Sequence, residues 1–173
     1  MPRLSSLAGC EVVHFATHGV YGADTGVTPG ALCLSPSGDD DGYLRADDIT
    51  GLDLTSCQVV LLSACRTGWG RSSYEGSLGS ARAFLYAGAR AVVVSLWPVD
   101  AAATADLMVA LHGILRSGVP VGEALRRAMR WSRDDGSPLR HWASFAVVGA
   151  GWAAPVTAVD RRGRGRTGSA DRR

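Results

Sequence analysis

The sequence predicts an α/β sandwich built on a largely parallel sheet with helices on both faces. Two observations carry this. Short, continuous apolar runs, residues 59–62 (VVLL) and 91–96 (AVVVSL), are rich in β-branched residues and read as strands buried on both faces. Around them stand segments with apolar residues at helical spacing, residues 77–87, 101–116 and 121–132. No internal repeat and no second domain is visible.

Taken in order, residues 11–17 (EVVHFAT) form the first strand, which His18-Gly19 terminates. Residues 21–30 (YGADTGVTPG) are a Gly/Pro/Asp-rich loop. Residues 31–35 and 43–45 read as the two arms of a hairpin around the turn PSGDDDG, and residues 46–51 as a short helix carrying Ile49. The three adjacent Asp lack the alternating ligands and closing Glu of a calcium loop, so the turn is read as solvated. After the strand at 59–62 comes a loop, residues 66–76, and then a helix from about Ser77 with Leu78, Ala81, Phe84 and Leu85 on one face and Gly88 at its C′ position. The strand at 91–96 ends in Trp97-Pro98. Asp100 caps a helix whose stripe is Leu107, Met108, Leu111, Ile114 and Leu115, and Gly118 stops it. The next helix buries Leu125, Ala128 and Met129 and turns Arg126, Arg127, Arg130 and Arg133 outward; a last strand spans 143–148. One domain over residues 1–150 and a disordered Arg/Gly-rich tail over residues 151–173 are expected.

The chain of 173 residues is long enough for one ordinary core, and 46% hydrophobic with 20% charged residues is a soluble globular composition. No apolar run reaches the roughly 20 residues that span a bilayer, and the amino terminus is too short and polar for a secretory signal, which predicts a cytoplasmic protein without membrane contact. All 18 basic residues are Arg, which we read as GC-rich coding. From Asp160 onward stand six Arg and two Asp, so the net charge of +2 divides into a mildly acidic body and a basic tail. No broad nucleic-acid footprint results. Cys10, Cys33, Cys57 and Cys65 have neither paired short spacings nor neighbouring histidines, which argues against a zinc site, a disulfide framework or any metal.

In an open parallel sheet, ligands bind outside the carboxyl ends of the strands. Cys65 follows the strand at 59–62, where a sheet presents a nucleophile, and His18 stands at the end of an earlier strand, 47 positions before it. That spacing resembles the caspase-type pairing of His and Cys. Longer strings narrow the resemblance. HFATHG at 14–19, LSAC with Thr67-Gly68 at 62–68, Glu75-Gly76, FLYAGA at 84–89 and SLWPVD at 95–100 resemble the CHAT domain, a caspase-like cysteine peptidase module found mostly in bacteria and often fused to tetratricopeptide repeats. The likeness runs from about Cys10 to Gly149.

The resemblance implies a caspase-like three-layer fold and a peptidase that needs no cofactor. His18 and Cys65 would form the catalytic dyad. The amides of Gly19 and Cys65 would form the oxyanion hole. Trp97 and Pro98 would line the pocket for the residue before the scissile bond, with Glu75 and Asp100 favouring a basic substrate side chain. It also implies strand and helix elements before the His-bearing strand, and only ten residues precede that strand here. The expectation is therefore the carboxyl-terminal two-thirds of such a module, completed by an upstream segment or a partner chain of tetratricopeptide-repeat type, and acting on a protein substrate.

Plainer readings stand beside each residue. Cys65 alone would be a buried structural thiol, since free Cys is among the most buried residue types. His14, four residues before His18, reads as a hydrogen-bonded residue of the core or of the dyad's surroundings; His112 reads as structural and His141 as structural or a substrate contact. Trp97 packed under a loop, Asp100 as a helix cap, Glu75 ordering the loop after Cys65 and Asp24 as an exposed loop acid are the competing roles. Two other functions remain open: a catalytically silent interaction module that keeps the fold, and a small-molecule thiol hydrolase or acyltransferase with a deep pocket.

Overall fold

Val59, Val60, Leu61 and Leu62 are all buried, as are all five residues of the run at 91–95, so these strands occupy the middle of the sheet. The computed structural model describes residues 7–20, 30–63 and 72–152, together with Leu4 and Val27, and only the backbone of residues 72–78. In chain order the described elements are β1 (Val12–Phe15), β2 (His18–Gly19), β3 (Leu32–Cys33), β4 (Tyr43–Leu44), α1 (Ala46–Thr50), β5 (Val59–Leu62), α2 (Ser72–Tyr86), β6 (Ala91–Ser95), α3 (Ala101–Leu115), α4 (Val121–Asp134), α5 (Leu139–Trp142) and β7 (Phe145–Gly149). A four-stranded sheet has the order β1-β5-β6-β7. The β1–β5 and β5–β6 pairs are parallel, and β7 returns antiparallel to β6.

Alternation along the strands divides the core in two. Val13, Phe15, Val60, Leu62, Val92 and Val94 face α1 and α2 and pack with Ile49, Ala81 and Phe84. Val59, Leu61, Ala91 and Val93 face α3 and α4 and pack with Leu107, Leu111, Leu125 and Ala128, with Val12 at the margin. The result is the three-layer α/β architecture with a mostly parallel sheet that the sequence predicts.

Helix ends follow their side chains. Asp100 accepts the N–H of Ala103 at 2.9 Å and starts α3. Gly88, at φ +108°, ends α2 in a Schellman turn: its N–H reaches Leu85 O and the Ala89 N–H reaches Phe84 O, both at 3.1 Å.

Three expectations need correction. The first strand stops at Phe15, and His18–Gly19 leave it for a separate antiparallel sheet of order β2-β3-β4. The hairpin expected at 31–35 and 43–45 forms as β3 and β4 and recruits β2, with Val20 N–H bonded to Ala31 O at 2.8 Å. Leu32 and Leu44, at 1% and 0% exposure, anchor this sheet in the α1/α2 core. Second, α2 begins at Ser72, so Glu75 and Gly76 belong to the helix and not to a preceding loop. Reading Gly76 as a break overstated a residue that costs a helix only about 1 kcal/mol. Third, the body continues past residue 150. Gly151 is buried and its carbonyl accepts the Gly122 N–H at 2.8 Å, while the Trp152 ring lies against Gly122, where any added Cβ would come within 2.7 Å of it. Residues 153–173 of the expected tail lie outside the described residues.

Candidate active site

Register fixes what the carboxyl edge of the sheet presents. Phe15 pairs with Leu62, and Leu62 with Val94, so these three residues form one row across the ends of β1, β5 and β6. His18, Cys65 and Trp97 each stand three residues beyond that row. Ser63 N–H continues the ladder by bonding to Phe15 O at 3.1 Å. Cys65, Asp24 and the loop residues around them lie outside the described residues, as does the side chain of Glu75.

His18 is exposed and pairs with Cys33 across β2 and β3. Side chains directly opposed in an antiparallel pair share a face, so the Cys33 thiol is the cross-strand neighbour of the His18 imidazole. Thr17 secures the segment by donating its hydroxyl to Cys33 O. Ladder parity then settles Gly19. Val20 donates to Ala31 across the pair, so Gly19, opposite Leu32, occupies the alternate, non-bonded position and turns its N–H away from β3. A backbone donor aimed out of the small sheet beside His18 is what an oxyanion site requires.

Trp97 is half-buried and its indole N–H donates to Arg140 O at 2.8 Å, which ties the segment after β6 to α5. Leu96 N–H reinforces this with Ser144 O at 2.7 Å. Pro98 is exposed beside it. Asp100 is exposed and engaged by the amino end of α3; the Ala103 N–H holds its carboxyl below the usual carboxylate range. The helix-cap reading of Asp100 thus describes its contacts. His141 accepts from Arg140 Nε at 3.2 Å in the same corner.

The sequence did not disclose how its histidines connect. His14 Nε2 lies 2.7 Å from Ser63 Oγ, and His14 Nδ1 lies 3.0 Å from His112 Nε2, a pairing across 98 positions. Burial holds both imidazoles below their ordinary pKa, and repulsion from His112 adds to the effect at His14. The available signal was a histidine inside a buried strand and another one turn after Met108 in an apolar stripe.

Among the described cysteines, Cys57 is unsuited to nucleophilic chemistry. Cys57 is fully buried, its thiol donates to Val59 O at 3.3 Å, and burial pushes its pKa up to about 11. Among the described residues Cys10, Cys33 and Cys57 form no disulfide, and no group of three or more His, Cys, Asp or Glu side chains is arranged to hold a metal. Nor is any described helix long and apolar enough to cross a membrane.

A mostly parallel sheet between two helical layers, with His18-Gly19 just beyond the end of β1 and β5 paired beside it, fits a caspase-like, peptidase-related module. The chain belongs to the CHAT domain family, whose model matches residues 3–150. It is similar to tetratricopeptide repeat protein 28 of mouse, 29% identical over 180 residues, and to the same protein of human, 27% identical over 180 residues. In both cases the alignment covers 85% of this chain and 7% of the relative.

Proposed function

We propose that this protein is a cysteine endopeptidase in which Cys65 is the nucleophile and His18 the general base and acid. The observation that carries the reading is the shared row: both residues follow register-paired strand ends, Phe15 and Leu62, by the same three residues. An ordinary thiol with a pKa near 8.5 is only a few per cent thiolate at pH 7, and a neighbouring imidazole supplies the rest by taking the proton as attack proceeds. The Cys65 sulfur bonds to the scissile carbonyl carbon, and the carbonyl electrons move onto oxygen, which the amides of Gly19 and Cys65 stabilise. Collapse breaks the C–N bond, the amine leaves with the proton from His18, and a thioester remains. Water then gives a proton to His18 and attacks the thioester, which releases a carboxylic acid and returns the proton to the thiol. Each oxyanion donor contributes on the order of 10²–10³ in rate.

Trp97 and Pro98 wall the pocket for the residue before the scissile bond, with Glu75 and Asp100 lending a preference for a basic side chain. The substrate is a protein segment in extended form, and the setting is cytoplasmic. The repeat-protein names of the relatives support a tetratricopeptide-repeat segment, fused or separate, as the regulatory partner. They equally favour a second reading, in which the module binds a partner without cleaving it. One comparison tests both: wild type, Cys65→Ala and His18→Ala are incubated with a complex peptide mixture, and new amino termini are read by mass spectrometry. Cleavage by wild type alone supports the peptidase. Identical product lists from all three chains refute the dyad and leave the binding module.

A further inference from the structure

The polar chain His112–His14–Ser63 crosses a layer packed mainly from apolar side chains, in which Ser95 is a further buried polar residue. His14 has the parity of Val12, and Ser63 that of Val59 and Leu61, so all lie on the sheet face that α3 covers. Apolar side chains would fill these places without any requirement for proton order, yet three polar groups meet here at 2.7 and 3.0 Å.

The direction of the hydrogen bonds follows from their far end. Ser63 Oγ lies 3.4 Å from Phe15 O, which can only accept, so the hydroxyl donates there. With the hydroxyl turned to Phe15 O, Ser63 Oγ accepts from His14, an arrangement that puts the His14 proton on Nε2. The bare Nδ1 of His14 accepts in turn from His112 Nε2–H. In this arrangement the chain runs one way from His112 to Phe15 O, whereas the opposite tautomer, with Ser63 donating to His14 Nε2, leaves the 3.4 Å contact to Phe15 O unmade. The chain ends on the Phe15 carbonyl, which also takes the Ser63 N–H at 3.1 Å. Phe15 and Ser63 are thereby gripped together at the ends of β1 and β5, three residues before His18 and two before Cys65.

We propose that His14 and Ser63, anchored by His112, are positioning residues that set the separation of His18 and Cys65. This rests on the peptidase reading above. A side chain that only filled space would be replaceable by anything of its size. A positioning chain depends on one atom, the donor at His14 Nε2. Glutamine carries an N–H donor close to the place of the imidazole Nε2, whereas asparagine carries one close to Nδ1 and leaves Ser63 unserved. The two substitutions have similar polarity and differ in which contact they keep.

The full chain is treated with iodoacetamide at pH 7, and the alkylation rate of Cys65 is followed by peptide-resolved mass spectrometry, beside a thermal melt of each variant. His18→Ala should slow Cys65 at least tenfold. His14→Asn and Ser63→Ala should each slow it about tenfold, as misplacement of a reacting group by a fraction of an ångström does. His14→Gln should stay within about threefold of wild type. If His18→Ala is slow while His14→Asn and Ser63→Ala react at the wild-type rate, the chain positions nothing and the inference is overturned. If His14→Gln is as slow as His14→Asn, the site needs the ring and not the donor, which also overturns it. If His18→Ala leaves the rate unchanged, the dyad itself is wrong and the positioning role falls with it, a failure separable from the other two.

Discussion

The same substitution, Gly→Ala, should have opposite effects at two glycines only 25 positions apart in the chain. At Gly88 the backbone has φ +108°, and an added Cβ would lie 2.9 Å from Thr55 N and 3.0 Å from Thr55 Cα. Those neighbours are backbone, held by the Leu54 N–H bond to Ala87 O at 2.9 Å, so they cannot swing aside. A side chain at positive φ costs about 1–2 kcal/mol, and displacing a packed segment costs about 1–3 kcal/mol more. Gly88→Ala should therefore destabilise by about 2–5 kcal/mol. Gly113 lies inside α3 at ordinary helical angles, is exposed, and has nothing within 4 Å of the point where a Cβ would stand. There alanine should stabilise by about 0.5–1 kcal/mol through helix propensity and a less flexible unfolded chain. Urea unfolding followed by far-UV circular dichroism measures both. A Gly88→Ala protein within about 0.5 kcal/mol of wild type would mean that the Schellman turn relaxes freely and that the steric reasoning is wrong.

Other outcomes follow from the same contacts. Cys57, with its thiol at about 11 against an ordinary 9.0, has about one hundredth of the usual thiolate, so iodoacetamide at pH 7.5 should modify it only after unfolding; rapid labelling of the native protein would contradict its burial. His14 and His112 both titrate below their ordinary 6.5 when folded, so the unfolded chain binds protons first and stability should fall as pH drops below 6.5. A His14→Gln, His112→Gln double variant should flatten that slope in a pH series of urea midpoints, and an unchanged slope would place the sensitivity elsewhere. Asp100→Ala should lower the melting temperature more than Asp106→Ala, since only Asp100 accepts an α3 amide. A chain ending at Trp152 should melt like the full chain, whereas one ending at Gly149 should melt lower, because it loses the Ala150 N–H bond to Arg90 O and the Trp152 contact on Gly122.

Strands β5 and β6 were legible because burial on both faces leaves a continuous apolar run, a signal that needs no knowledge of partners. The caps at Asp100 and Gly88 were legible because capping chemistry is local. Strand β2 was not. Two residues, His18 and Gly19, have no periodicity of their own, and only pairing with Leu32 and Cys33 makes them a strand. The start of α2 was missed because Gly76 carries a break signal that a long helix overrides. At the site, the positions of His18 and Trp97 beyond strand ends could be read from order along the chain. The link from His14 to His112 could not, since it joins residues brought together only by the packing of α3 on the sheet.

The antiparallel return of β7 has a bearing on how this module can be built into a longer polypeptide. Ala91 pairs with Gly149, so β7 finishes level with the start of β6, and Val12 begins β1 on that same rim. The chain therefore enters β1 and leaves β7 on the rim away from His18. A segment joined directly before β1 or directly after β7 would start on the rim opposite His18.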